Sequence, residues 1–373
     1  MRLRAVLRWV MPEPAAIAAR LRQWEDLGPQ GPMTLEIYPT LACNLDCAFC
    51  DTTDRHRPPV DELPQARLLQ IVDEAADLGV RRVFVLGGGE PLLRKDATPA
   101  LMARVKARGL EGVLTTNGTL MGPAVRAAIL EMGWDEIHVS IDAATPEVHD
   151  ALRGMRTAFR RAVSNTCALA VEKRRRGLQL PRLALHMVLT NQSWRMLPDM
   201  IRLAHSLGAF RVDVDALIAY RPEQLRLKLS AEEAAARPAV AAEALALAES
   251  LGIASTLARF LDPRALDRGE TAVPIPEAPG LAGAPCLKAW HYLVVQADGR
   301  TSPCCVLAGQ GGSAAQTPLA EIWRDDPFLD TVRQGMLQKT PLPRCRECSW
   351  NILSHEAAIR DALAQIPPES PCP

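Results

Sequence analysis

From about Met33 to Ile218 two kinds of apolar pattern take turns along the chain. Short strand-like runs read TLEIYP, RRVFVLG, GVLTTNG, EIHVSID, RLALHMVLTN and FRVDVDALI. Between them lie longer stretches with helical spacing, such as DELPQARLLQIVDEAADLG and PAVRAAILEMG, and several stop at a glycine (Gly79, Gly109, Gly133). Glycine is expected just past a helix C-terminus because it enters the left-handed region without strain. Six such strand–helix units predict an α/β fold with a parallel sheet and right-handed crossovers. A partial (β/α)6 barrel is the arrangement we expect.

Parity within the strands then predicts a wet interior. In the fourth strand Glu136, His138, Ser140 and Asp142 share one face, and Ile137, Val139 and Ile141 share the other. The sixth sets Arg211, Asp213 and Asp215 against Val212 and Val214. The fifth sets His186 and Thr190 against Leu185, Met187 and Leu189. With the apolar faces on the helices, the polar faces must line a cavity. An edge strand with a solvated face explains one such strand easily, and three in sequence less well.

Outside this core, residues 1–32 read as a helical arm and 219–279 as an Ala-rich helical spacer or lid. Residues 280–352 read as a second, cysteine-bearing domain built on a β-hairpin, and 353–373 as a tail. The 43 basic and 43 acidic residues cancel, which gives no reason to expect a nucleic-acid partner. No run is long and apolar enough to span a bilayer, and MRLRAVLRWVMPEP is interrupted by Arg8 and two prolines, unlike a signal peptide. A cytoplasmic protein with no membrane partner is the expectation. Ten cysteines in 373 residues are too few for a disulfide scaffold, and their clustering reads as metal ligation.

The segment CNLDCAFC places Cys43, Cys47 and Cys50 just after the first strand, where a barrel carries its chemistry. Three thiolates can hold three irons of a [4Fe–4S] cube and leave the fourth open; zinc is the competing occupant. One strand later, VFVLGGGEPLL sets Gly88, Gly89 and Glu90 at a strand end, where glycines let backbone approach a ligand. Near the C-terminus CLKAWHYLVVQADGRTSPCC reads as a hairpin through its DG turn. With RCRECSW it gathers Cys286, Cys304, Cys345 and Cys348, with Cys305 as an alternative to Cys304. Four thiolates suffice for a whole [4Fe–4S] cluster or for a structural zinc.

CxxxCxxC with Phe49 before its last cysteine, the GGE that follows and the C-terminal set together resemble the radical S-adenosylmethionine (radical SAM) superfamily with a C-terminal twitch or SPASM-like auxiliary iron–sulfur domain. The resemblance covers roughly Met33 to Trp350. It implies a SAM-binding [4Fe–4S] cluster on Cys43, Cys47 and Cys50, and a second, auxiliary [4Fe–4S] cluster on the C-terminal cysteines. Gly88, Gly89 and Glu90 would bind the SAM amino group. Asn117, Ser140, Asp142, Arg153 and Asn191 match further SAM-binding positions, Arg153 facing the carboxylate. Ser354 stands where a full SPASM pattern continues with cysteine, which argues against a third cluster.

The implied chemistry is reductive cleavage of SAM to a 5′-deoxyadenosyl radical, fed by a flavodoxin- or ferredoxin-type reductant, and hydrogen abstraction from substrate. A four-thiolate auxiliary cluster has no free iron for substrate, so its expected role is to take the second electron. The reading is a radical SAM oxidoreductase that dehydrogenates a sugar, aminocyclitol or similar small molecule. His138, His186, Arg211, Asp213 and Asp215 are the unranked candidates for the accompanying base or substrate contacts. The rivals are a peptide maturase forming crosslinks, a redox-neutral epimerase, and a zinc-stabilised binding protein. An epimerase needs a hydrogen donor, and Cys167, in a helical segment, is expected to be buried and inert.

Overall fold

The computed structural model describes residues 14–50, 61–262, 277–348 and 350–366. The polar loop expected after Cys50 and residues 263–276 of the expected spacer therefore lie outside the described residues. Six strands, β1 (Thr34–Ile37), β2 (Arg82–Val85), β3 (Glu111–Thr116), β4 (Glu136–Ser140), β5 (Arg182–Leu189) and β6 (Arg211–Ala216), pair in parallel in chain order. The helices of this part and of the preceding arm are α1 (Pro14–Leu27), α2 (Gln65–Asp77), α3 (Ala97–Ala107), α4 (Pro123–Glu131), α5 (Pro146–Arg153), α6 (Ala158–Arg175), α7 (Leu197–Ser206) and α8 (Ala231–Ser250).

The sheet stays open. A short β7 (Ala254–Ser255) extends it beyond β6, and β8 (Tyr292–Val295) pairs in parallel with β1 on the other side. β9 (Thr301–Ser302) returns antiparallel to β8. The C-terminal hairpin is thus a continuation of the barrel sheet, giving the order β7-β6-β5-β4-β3-β2-β1-β8-β9.

Strand parity sorts the side chains as the sequence pattern predicts. Leu35, Ile37, Ile137, Val139, Leu185 and Val214 join the core under the helices. That core includes Leu68, Ile71, Val72 and Ala75, one face of α2 at helical spacing. On the inner face Tyr38, Phe84, Val113, Tyr292 and Val294 form a separate small cluster, and the ionisable groups fill the rest.

A second core lies under the hairpin. Ile17 and Leu21 of α1 pack with Met33, Leu287, Trp290 and Met336 and with Ile359 and Leu363. Met336 belongs to α10 (Pro327–Leu337), which follows α9 (Leu319–Asp325); Ile359 and Leu363 belong to α11 (Trp350–Ala364). Ile17, Leu21, Ile359 and Leu363 are fully buried, each contributing about 1.5–3 kcal/mol. Trp24 meets Trp323 edge-on at 6.0 Å, and the Arg333 guanidinium covers both rings. The described part of the arm therefore packs into the C-terminal module, and the expected tail is helical as far as Ala364. No helix among the described residues is long and apolar enough to cross a membrane.

Candidate functional site

The cysteine loop leaves β1 and is tied down from both ends. Leu45 N donates to Cys43 Sγ at 3.4 Å. Asn44 accepts from Asn117 Nδ2 at 3.0 Å and donates to Thr119 Oγ1 at 2.9 Å. Past the triplet, Arg221 Nη2 and Gln224 Nε2 both donate to Cys50 O, at 2.9 and 3.0 Å. Cys47 is buried, Cys43 and Cys50 partly so, and all three cluster with Leu45, Phe49, Met155 and Ala158. Burial pushes the Cys47 thiol up to about 12 despite the nearby Arg153, so loading the loop with metal releases protons.

Gly88 and Gly89 let the chain approach itself. A Cβ on Gly89 would stand 1.9 Å from Ala42 O, and one on Gly88 2.4 Å from Leu41 Cδ2. In return Gly89 N donates to Thr40 O and Glu90 N to Ala42 O, at 3.0 and 2.8 Å. Glu90 is buried and accepts from Thr116 Oγ1 (2.7 Å), Asn117 N (2.8 Å) and Leu92 N (3.1 Å). Its burial raises the carboxyl's pKa, and these donors oppose the rise.

Asp142 and Arg153 form a buried pair. Arg153 Nε donates to Asp142 Oδ2, Nη1 lies 3.7 Å from Cys47 Sγ, and the guanidinium covers Phe49 at 5.4 Å. Burial works against the Arg153 charge, and Asp142 and Cys47 outweigh it, so its pKa stands above the ordinary value. Ser140 ends β4 opposite His186. Asn191 stands apart: its side chain donates to Arg226 O at 2.9 Å.

The five inward residues fall into two groups. Arg211 is fully buried and donates to Glu136 Oε1 and Asp213 Oδ2, each at 2.8 Å. His138 lies 2.6 Å from Glu136 Oε1 and 3.0 Å from Arg211 Nη2, and Arg182 closes this network on Glu136 Oε2 at 2.8 Å. The second group is more open: His186 Nε2 lies 2.7 Å from Asp215 Oδ2, and Arg259 Nη2 donates to Asp215 Oδ1 at 3.0 Å. The His186 and Asp215 side chains keep 29% and 34% of their surface exposed. Burial opposes charge on His186, but its bond to Asp215 and the charges of Asp215, Asp213 and Asp142 hold its pKa above the ordinary value. Burial likewise opposes charge on Asp215, and His186 and Arg259 bring it below the usual carboxylate range.

The second cysteine set stands at the opposite end of β1. Cys286 precedes β8 and Cys304 follows β9. With Cys345 and Cys348 they line one cavity whose other walls include Pro285, Ala289, Leu307, Val332 and Met336. Cys305 is exposed and lies outside that lining. Leu307 N donates to Cys304 O at 3.3 Å. The four residues of β1 separate the two ends by roughly 13 Å. No three cysteine, histidine or carboxylate side chains among the described residues come close enough to hold one metal ion. A cube takes its thiolates on different irons, so cysteines set apart in this way, with the Leu45 N–H donating to Cys43 Sγ, fit iron–sulfur clusters better than single zinc ions.

Several residues of the site were not singled out from the sequence. Glu36 bridges Tyr38 (2.7 Å) and Tyr292 inside the barrel, and the alternation Leu35, Glu36, Ile37, Tyr38 carried that signal. Arg259, Gln224 and Lys288 had no local signal. Cys167, expected to be buried, is exposed on α6, because that helix packs on the sheet through Ala158, Ala162, Thr166 and Leu169 instead.

An open, mostly parallel barrel sheet with a three-cysteine loop at one end and a four-cysteine cavity at the other fits an enzyme that works with iron–sulfur clusters. Residues 37–204 match the Radical SAM superfamily and residues 286–349 match the SPASM iron–sulfur cluster-binding domain. The chain carries a radical SAM domain and a C-terminal SPASM domain. It is 38% identical over 125 residues to the AdoMet-dependent heme synthase of Methanosarcina barkeri, an alignment spanning 34% of this chain and 35% of that protein. It is 27% identical to the PqqA peptide cyclase of Granulibacter bethesdensis, over 86% of this chain and 81% of that one. Streptococcus suis SuiB bound to the precursor peptide SuiA shares the fold, with TM-score 0.66 and 19% identity over 93% of this chain and 79% of that one. The domains imply a [4Fe–4S] cluster that works with SAM and an auxiliary iron–sulfur cluster.

Proposed function

We propose that this chain carries out a two-electron oxidation of a peptide substrate held inside the barrel. The observation that carries the reading is the position of the polar interior between the two cysteine sets, at opposite ends of β1. When bound, SAM on the Cys43, Cys47 and Cys50 cluster supplies a 5′-deoxyadenosyl radical, and a cluster on Cys286, Cys304, Cys345 and Cys348 supplies a one-electron acceptor.

The chain's own residues supply position and a proton acceptor. Arg153 and Glu90 offer a cation and an anion of fixed place for the carboxylate and ammonium of SAM. The substrate loses one hydrogen atom, one electron and one proton; His186, in its neutral form, is placed to accept the proton, with Asp215 and Arg259 orienting it. The more deeply buried Arg211 network holds the strands together instead. A flavodoxin- or ferredoxin-type donor starts each turnover.

A peptide substrate is supported by similarity to the PqqA peptide cyclase over most of both chains. The stretch similar to a heme synthase supports a second reading, a tetrapyrrole substrate; neither relative favours the sugar or aminocyclitol expected at first. The test incubates the loaded enzyme, SAM and reductant with fractionated extract of the source cells and follows masses. A peptide lighter by two hydrogens is the expected product, and a change confined to tetrapyrroles overturns the peptide reading. Cys345→Ala should still form 5′-deoxyadenosine but not the oxidised product; full turnover in that variant would make the C-terminal centre structural.

A further inference from the structure

Among the described residues, the cavity of the second cysteine set is lined by apolar side chains, its four thiols and one charged residue, Lys288. Lys288 is 7% exposed, and its Nζ sits 3.7 Å from the centre of the Tyr292 ring. Tyr292 in turn donates through its hydroxyl to Glu36 of β1, which anchors the ammonium to the barrel. The same cavity wall brings Lys288 together with Cys286, Cys304, Cys345 and Cys348.

Four thiolates around an iron–sulfur cube carry excess negative charge, and reduction adds one more within mostly apolar walls. Net charge, hydrogen bonds to sulfur and solvent exposure are what set such a potential. We propose that Lys288 is a positioning residue that raises the reduction potential of the auxiliary centre, so that the centre can accept an electron from the barrel interior. The ammonium favours the reduced state because the attraction grows with the charge added.

The inference rests on the reading that these four cysteines hold an iron–sulfur cluster. It is tested on the full chain carrying Cys43→Ala, Cys47→Ala and Cys50→Ala, loaded with iron and sulfide and titrated anaerobically with EPR detection. Lys288→Met removes the charge at similar length, and Lys288→Arg keeps it. At a fixed applied potential the ratio of reduced to oxidised cluster should fall about tenfold in the Met variant, about 59 mV for a one-electron couple. The Arg variant should titrate close to its parent. A Met variant that titrates with its parent overturns the role of Lys288. A parent that assembles no EPR-active cluster overturns instead the reading of the cysteine set. Lys288→Gln gives the same reading should the Met variant not hold iron.

Discussion

Replacing Arg211 by methionine should loosen the core and not merely slow a chemical step. Arg211 has no exposed surface and spans two carboxylates, Glu136 and Asp213, each at 2.8 Å. At an effective dielectric of about 20, each contact carries roughly 6 kcal/mol of attraction, most of it offset by the desolvation of the partners. Breaking such a buried pair from one side typically costs about 3–5 kcal/mol, because the remaining charge is stranded. Glu136 would keep Arg182 at 2.8 Å and His138 at 2.6 Å, so the lower end, about 3 kcal/mol, is expected. The assay is anaerobic urea unfolding of chelator-treated protein. Adding Glu136→Gln should cost less than the sum of the single changes, since that carboxylate is no longer stranded. A stability loss under about 1 kcal/mol, within the range of an exposed ion pair, together with lost product formation would refute the reasoning and return Arg211 to the chemistry.

Two further outcomes follow from the site. The charged form of His186 is stabilised in the fold, so its contribution to stability is complete below the unfolded value of about 6.5 and is lost as pH rises through the raised folded value. Asp215, held below the usual range, contributes above its unfolded value and loses that contribution as pH falls through the folded one. With His186 as base, product formation should rise as pH passes the raised histidine value, and Asp215→Asn should move that limb to lower pH; an unmoved limb in the pH–rate profile contradicts the assignment. Gly89→Ala would drive a methyl into Ala42 O, 1.9 Å away. Iron should then fall from about eight to about four per chain as the cysteine loop shifts and the second centre survives; full iron content and SAM cleavage would show that the loop can yield.

Local pattern alone was enough for the features that depend on local geometry. Three cysteines within eight residues must share a loop wherever it folds. The alternation in EIHVSID and FRVDVDALI sends polar and apolar groups to opposite faces because a strand repeats every two residues. Gly79, Gly109 and Gly133 end helices with φ of 91°, 70° and 63°, the conformation that glycine was expected to supply. Only the tertiary structure could decide what depends on residues far apart in the chain. Pairing of β8 with β1, across more than 250 residues, sets the four-cysteine cavity at the far end of the barrel from the cysteine loop. Arg259 reaching Asp215, Gln224 reaching Cys50 and α11 closing on α1 have the same origin. Each brings together groups whose own neighbours in sequence carry no trace of the partner, because burial and charge pairing act through space and not along the chain.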